Sequence, residues 1–208
     1  MRIHLERVDG AVDPEEVRQI LAQQLEPDTL AHVFRTVEVA KVLAARHGID
    51  PARAEVAALL HEIGEPYNDK EMLALARHYN LDIDDTEQRI PRLLHGKLGA
   101  AILRDRWDIQ DEELLEAVRL HISAGPHMGT LAKIIFVADK LEPDRDKFYG
   151  DLNAIRELAE TNLDAAIAKL SAWRLDKLGT DGPGPRRRNT LSDEWHKITE
   201  SMDGAGRG

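Results

Sequence analysis

The chain has 208 residues, which is long enough for a single domain with a continuous core. Its 38 acidic residues outnumber its 28 basic ones, so a nucleic-acid backbone or an anionic lipid surface would be repelled over most of the protein. The chain has no cysteine, which excludes disulfides, thiolate nucleophiles and thiolate metal ligands. No apolar run approaches the roughly 18 residues of a membrane-spanning helix. We therefore expect a soluble cytoplasmic protein without nucleic-acid or membrane partners.

The predicted elements are almost all helices. Residues 1–12 contain a short alternating segment, I-H-L-E-R-V, that is compatible with a strand or with an unstructured lead-in. Aspartate followed by proline predicts helix starts at Asp13 and Asp50, and Asp69 is predicted to cap another helix. A polar loop is predicted at 80–90, and helices over about 13–25, 30–47, 51–62, 69–79, 111–121, 130–140, 151–160 and 163–178. Because signals for strands are nearly absent, the predicted fold class is all-α.

Composition divides the chain into three parts. Residues 1–27 form a lead-in and a first helix, and residues 28–178 form the compact part. Residues 179–208 begin G-T-D-G-P-G-P-R-R-R and are predicted to be a flexible or loosely docked tail. The helix over 51–62 is apolar nearly all round, so we expect it to lie at the centre of the compact part.

Four of the nine histidines share an unusual setting, because each lies at or near the end of a predicted helix or beside strongly apolar sequence. They are His32, His61, His95 and His121. The carboxylates of Glu62 and Asp139 occupy similar positions. A buried carboxylate such as Asp139, which follows I-I-F-V-A, is costly unless it is paired or coordinates a metal. The pattern therefore indicates either buried ion pairs or a metal site built from imidazoles and carboxylates.

The order and the local sequence of these residues resemble a known family. The series His32, His61-Glu62, His95, His121 and Asp139 is similar to the H…HD…H…H…D pattern of the HD-domain metal-dependent phosphohydrolases. The stretches L-L-H-G-K-L-G-A, A-V-R-L-H-I-S-A-G-P-H-M and I-I-F-V-A-D-K-L-E-P-D-R further resemble the YqeK-type symmetrical bis(5'-nucleosyl)-tetraphosphatases. The resemblance covers roughly residues 28–178 and implies an HD-domain helical bundle.

The resemblance also implies a cofactor and a reaction. Two divalent metal ions would be bound, with iron expected and manganese as the alternative. The implied ligands are His32, His61 and Asp139 for one ion, His95 and His121 for the other, and Glu62 as the bridge between them. The two ions would activate a water as hydroxide for attack on phosphorus. The implied reaction is the symmetrical hydrolysis of diadenosine tetraphosphate to two ADP.

Three positions depart from the family pattern. Glu62 stands where the family has aspartate, and its extra methylene moves the carboxylate by about 1.5 Å. Glu65 replaces a lysine and therefore places a negative charge where a phosphate would be bound. Gly125 stands where an arginine is expected in the loop after His121. Two cationic phosphate contacts are thus missing.

Other cations are candidates for replacing them. Lys97 lies two residues after His95, and Lys140 and Arg145 lie close to Asp139 in the chain. We predict these three residues as substrate-binding, with surface charge as the alternative for Lys97 and Lys140. The candidate catalytic carboxylates are Glu62 and Glu65.

Two other functions are compatible with the sequence. The stretch His61-Glu62-Ile63-Gly64-Glu65 also resembles the H-D-x-x-E-D motif of guanosine tetra- and pentaphosphate hydrolases, in which the second acid acts on the attacking water. The other alternative is a non-catalytic metal- or nucleotide-binding HD module that has lost its phosphate contacts. An amphipathic surface is compatible with a homodimer.

Overall fold

The computed structural model describes residues 7–8, 11–125 and 127–181, and the all-α prediction is confirmed. Two strands of two residues each, β1 (Arg7–Val8) and β2 (Ala11–Val12), pair antiparallel before the first helix. The helices are α1 (Pro14–Gln24), α2 (Pro27–Arg46), α3 (Pro51–Leu60), α4 (Asp69–His78), α5 (Asp85–Arg89), α6 (His95–Arg106), α7 (Glu112–Leu120), α8 (Thr130–Leu141), α9 (Asp146–Tyr149), α10 (Asn153–Ala159) and α11 (Leu163–Asp181). Single 3-10 turns at Pro91–Leu94 and Pro143–Arg145 precede α6 and α9.

The predicted helix starts are correct in most places. The carboxylates of Asp13 and Asp50 accept hydrogen bonds from the backbone N–H groups two residues later, and proline follows each of them. The cap of α4 was predicted one residue too late. Asn68 is the cap, because its side-chain oxygen accepts from the backbone N–H groups of Lys70 and Glu71.

The segment at 80–90, predicted to be a polar loop, contains the short helix α5. Asp84 caps this helix, and the Glu87 carboxylate accepts in return from the Asp84 backbone N–H, which completes a capping box. Local capping is therefore sufficient to form a helical turn in a stretch without apolar periodicity. Near the other end of the chain, α11 extends to Asp181, and the remainder of the predicted tail lies outside the described residues.

Helix α3 lies at the centre of the bundle, as its composition predicts. It packs against α1, α2, α7 and α8. Helix α1 belongs to the same core, because Val17 and Leu21 are fully buried in it. In the described part of the chain, no helix combines the length and the apolarity that crossing a membrane requires. Six of the ten residues of α3 are buried, and they are Ala54, Val56, Ala57, Ala58, Leu59 and Leu60.

A close contact between Gly64 and α6 sets the position of His95. A Cβ at Gly64 would overlap the carbonyl oxygen of His95 and would lie 2.8 Å from the backbone nitrogen of Gly99. Glycine is therefore required at position 64 for α6 to approach the end of α3 this closely. Since both neighbours are backbone atoms, relief of the overlap would have to move α6 itself.

We expect Gly64→Ala to lower the free energy of unfolding by about 1–3 kcal/mol, the usual cost of overpacking a closed contact. Urea unfolding followed by circular dichroism measures this loss. Gly125→Ala is the matched control, because the nearest atom to a Cβ there is a side-chain carbon of Leu120, at 3.4 Å. Equal stability of the Gly64→Ala variant and the wild type would contradict the assigned contact.

Candidate metal centre

Three of the four candidate histidines are held by the same local hydrogen bond. The Nδ1 atoms of His61, His95 and His121 each lie 2.6 Å from the carbonyl oxygen three residues earlier in the chain. A carbonyl can only accept, so Nδ1 carries a proton in each of these rings. Each histidine ends a helical turn, where carbonyls lack a partner within the helix. The Nε2 atom of each neutral ring therefore keeps a free lone pair.

His32 reaches the same state through a carboxylate. It lies in the first part of α2, and its Nδ1 is 3.2 Å from Oε1 of Glu142. Burial raises the pKa of Glu142, but hydrogen bonds from Arg35, the Asp144 backbone and His32 outweigh it and lower that pKa below the usual glutamate value. Because the Glu142 carboxylate is ionised, it accepts the Nδ1 proton of His32.

The four Nε2 atoms converge on one buried space. Nε2 of His61 lies 3.3 Å from that of His32, and Nε2 of His95 lies 3.0 Å from that of His121. The rings of His61 and His121 are 5.0 Å apart at their centroids and meet edge to face. Facing lone pairs at these distances repel unless a proton or a metal ion lies between them. The arrangement therefore fits a cation-binding centre.

Glu62 stands between the two histidine pairs. Its Oε1 is 3.8 Å from Nε2 of His32 and 3.7 Å from Nε2 of His61. Its Oε2 is 3.2 Å from Nε2 of His95, yet this buried oxygen accepts no well-formed hydrogen bond from the described residues. A buried carboxylate oxygen without a hydrogen bond is costly, and coordination of a metal ion would satisfy it.

The ligand atoms form two groups that share one residue. His32, His61 and Glu62 present atoms within 4.8 Å of one another. Glu62 also belongs to a second group of the same size, with His95 and His121. The shared carboxylate suits a centre with two neighbouring cations.

Asp139 lies beside the first group, with Oδ1 3.2 Å from Nε2 of His32. Its Oδ1 also accepts from Arg145 at 2.6 Å, and its Oδ2 accepts from Lys140 at 2.7 Å. Burial opposes ionisation of Asp139, but the charge of Lys140, the hydrogen bond with His32 and the charge of Arg145 hold its pKa well below the usual range. Asp139 is therefore a carboxylate at neutral pH, which is the form that coordination of a metal ion requires.

The remaining candidate ligands have pKa values that are shifted by burial and by their neighbours. Burial lowers the pKa of His61 and of His121, so both imidazoles are neutral near pH 7. Burial also acts to lower the pKa of His95, but the adjacent Glu62 carboxylate raises it by more. In return, His95 lowers the pKa of Glu62 below the usual glutamate range against the effect of burial. A proton on Nε2 of His95 and a metal ion therefore compete for the same place beside Glu62.

The three predicted substrate-binding cations have different environments. Lys140 is buried and donates to Asp139 and to a backbone carbonyl, so the structure favours a role in neutralising Asp139. Lys97 donates at 2.9 Å to Glu87 and to the carbonyl oxygen of Asp82, so its charge is neutralised by the α5 region. Arg145 also binds Asp139, but a quarter of its side chain is exposed. Arg145 is thus the one of the three that both joins the centre and reaches solvent.

Glu142 and two arginines of the site carried no recognised signal in the sequence. Glu142 was assigned no role from the sequence, although it lies inside the stretch I-I-F-V-A-D-K-L-E-P-D-R and is 2% exposed. Its Oε2 accepts from Nε of Arg35 at 2.6 Å. Arg92 pairs with Glu65, with 2.7 Å between Nη2 and Oε1, so the acid that replaces the expected lysine is itself neutralised. Glu142 and His32 are 110 positions apart, so local sequence could not indicate their contact.

Comparisons with known proteins agree with this geometry. The family model described as HD domain matches residues 29–144. A protein of Bacillus subtilis named "Bis(5'-nucleosyl)-tetraphosphatase, symmetrical" is 33% identical over 153 residues, which are 74% of this chain and 81% of that protein. A protein of the same name from Halalkalibacterium halodurans is 34% identical over 149 residues, covering 72% of this chain and 78% of that protein.

The fold also matches a solved structure. A crystal structure from Clostridium acetobutylicum, described as a predicted HD superfamily hydrolase involved in NAD metabolism, superposes with a TM-score of 0.81 and covers 91% of this chain and 98% of that one. Its sequence is 23% identical, so this likeness supports the fold alone. The family match, the two relatives and the converging histidines lead to one conclusion: the chain belongs to the HD-domain family of metal-dependent phosphohydrolases.

Proposed function

We propose that this protein hydrolyses dinucleoside polyphosphates, and that diadenosine tetraphosphate is cleaved symmetrically to two ADP. The observation that carries the proposal is the position of Glu62, whose two oxygens face different histidine pairs. A carboxylate in this position suits two adjacent cations. The two relatives named symmetrical tetraphosphatases support the choice of substrate.

The proposal assigns two divalent metal ions to the centre. Imidazole and carboxylate ligands suit iron, with manganese as the alternative. When bound, such ions lower the pKa of a coordinated water and stabilise negative charge on the attacked phosphate. The proposed ligands are His32, His61 and Asp139 for one ion, His95 and His121 for the other, and Glu62 as the bridge.

The chain's own residues would prepare the ligands and orient the substrate. The Nδ1 hydrogen bonds fix the tautomers, so the Nε2 lone pairs of the neutral rings already point at the centre. Arg145 lies beside Asp139 and is partly exposed, so it is the cation of the centre best placed to donate to a substrate phosphate. Its charge is needed because the protein has a formal net charge of −10.

The alternatives make different predictions. In a guanosine tetra- or pentaphosphate hydrolase, the Glu65 carboxylate would act on the attacking water. In this structure, that carboxylate is instead paired with Arg92. A non-catalytic module would bind metal and nucleotide without turnover. Cytoplasmic location and a homodimer stay predictions.

Product analysis tests the proposed reaction. Protein loaded with iron or manganese should convert diadenosine tetraphosphate to ADP as the sole product, measured by ion-exchange chromatography, and a chelator should abolish the activity. Glu62→Gln is the matched variant, because it keeps the side-chain shape and removes the charge. We expect it to lose both bound metal and turnover, and unchanged metal content and activity would refute the site. Cleavage of guanosine tetraphosphate instead would favour the first alternative.

Glu142 should act on metal binding through His32. We expect Glu142→Gln to weaken metal affinity by roughly 10- to 100-fold, the usual effect of losing such a partner. His32 and Arg35 bind different oxygens of Glu142, and the amide of glutamine keeps only one of these two acceptors. Titration calorimetry with Mn²⁺ on metal-free protein gives the affinity. Asp144→Asn is the control, because the Asp144 carboxylate lies 3.4 Å from Arg35 at the outer side of the pair. Equal affinities for both variants and the wild type would rule out this role.

Reversal of the charge at position 65 is expected to favour substrate binding, because it would release Arg92 from its ion pair and add a cation where the family has lysine. Glu65→Lys should lower the Michaelis constant for diadenosine tetraphosphate by a factor of roughly two to five, which corresponds to about 0.5–1 kcal/mol for a charge near the surface. Steady-state kinetics measure this Michaelis constant. Glu65→Gln only removes the negative charge and frees Arg92, so it should lower the Michaelis constant by less. A collapse of kcat without a lower Michaelis constant would show instead that Glu65 acts on the attacking water.

A further inference from the structure

A groove on the surface beside the metal centre has no role in the reaction described so far. Its volume is about 450 Å³, within the range of small-molecule sites. Val42 in its wall is 56% exposed, and it is one of three large apolar residues in the described part of the chain that are more than half exposed. The groove lies between α2, the end of α8 and α10, and its apolar lining consists of Val39, Val42, Leu43, Leu141, Pro143 and Ala159.

The groove continues the helix face that carries a metal ligand. A stripe along α2 has spacings of three and four residues and consists of His32, Arg35, Val39 and Val42. Val39 and Val42 lie seven and ten residues beyond His32, which corresponds to about 10–15 Å along the helix. Arg35 binds Glu142, which in turn binds His32. The groove and the candidate metal centre are thus linked through Arg35 and Glu142.

We infer that the groove binds one nucleoside of a dinucleotide substrate whose phosphates lie at the metal centre. This inference rests on the proposed function and adds a subsite to it. Two phosphates and a ribose separate the central bond of diadenosine tetraphosphate from each base, which matches the length of the stripe between His32 and Val42. Along this stripe, Arg35 lies nearer to the metal centre, and Val39 and Val42 lie farther from it. This is the order in which the phosphate and the base follow one another in a nucleotide.

Polar groups at the rim of the groove suit a nucleoside. The carboxylates of Glu38 and Glu160 line it and can accept hydrogen bonds from ribose hydroxyls or an exocyclic amine. The guanidinium of Arg156 is held in place by Asp146 and by a carbonyl oxygen at the end of α8, so that wall is rigid. Arg35 keeps about a third of its side chain exposed, so it can also contact a phosphate.

Binding of an uncleavable substrate to Val42→Asn tests the inference. The probe is diadenosine tetraphosphate with a methylene in place of the central bridging oxygen, titrated into Mn²⁺-loaded protein by calorimetry. The second ligand is inorganic tetraphosphate, which has the same phosphate chain and no nucleoside. We expect the variant to bind the analogue roughly fivefold more weakly and to bind tetraphosphate as the wild type does. An uncharged substitution is used so that the phosphates are not repelled.

Two control variants accompany the test. Val42→Leu keeps an apolar side chain and should retain wild-type affinity for both ligands. Ile90→Asn changes a residue that is 51% exposed but does not line the groove, and it should alter neither affinity. Since both altered positions are exposed, we expect all variants to fold, and thermal unfolding checks this.

The outcomes separate this inference from the proposed reaction. Unchanged affinity of Val42→Asn for the analogue would overturn the nucleoside site, and so would an equal loss for both ligands, because that would place the effect on the phosphates or the metals. Neither result depends on turnover. A failure to form ADP from the natural substrate, combined with a selective loss for the analogue, would leave the groove assigned and refute the reaction.

Discussion

The orientation of the imidazoles is the constraint on which the site depends. Three Nδ1 atoms are tied to carbonyl oxygens in their own helical turns, and the fourth is tied to Glu142. Each bond fixes a tautomer and turns the Nε2 lone pair toward the same buried space. Such a cluster would be unfavourable in a core without a cation. The fold tolerates it because the helices that meet there are held by the apolar core around α3.

Basic side chains around the candidate metal centre form ion pairs with its buried carboxylates. Asp139 is flanked by Lys140 and Arg145, and Glu142 by Arg35. These pairs allow carboxylates to be ionised in a buried environment that would otherwise raise their pKa values. Arg145 and Arg35 also face outward in part, so they extend the centre toward solvent. In an acidic protein, this local arrangement of cations would favour the approach of an anionic substrate.

Close packing is the second requirement of the site. Gly64, just beyond the end of α3, lies against the backbone of α6, and a Cβ at Gly96 would lie 2.8 Å from the carbonyl oxygen of Arg119. The two glycines let the segments that carry three of the four histidines approach one another. Gly96 in the stretch H-G-K-L-G therefore serves close packing directly beside the candidate ligand His95.

Much of this could be predicted from the sequence, because it depends on local signals. Capping aspartates marked helix starts, the apolar composition of α3 indicated its central position, and the setting of the histidines and carboxylates indicated a metal site. The helix α5 was missed, since its capping box forms a turn without apolar periodicity. Only the tertiary structure decided that Glu142 supports His32, that Arg92 neutralises Glu65, and that two of the predicted substrate-binding residues, both lysines, are occupied by other partners. Those contacts join residues far apart in the chain or depend on the direction of a side chain. Neither long-range contacts nor side-chain directions can be predicted from local sequence.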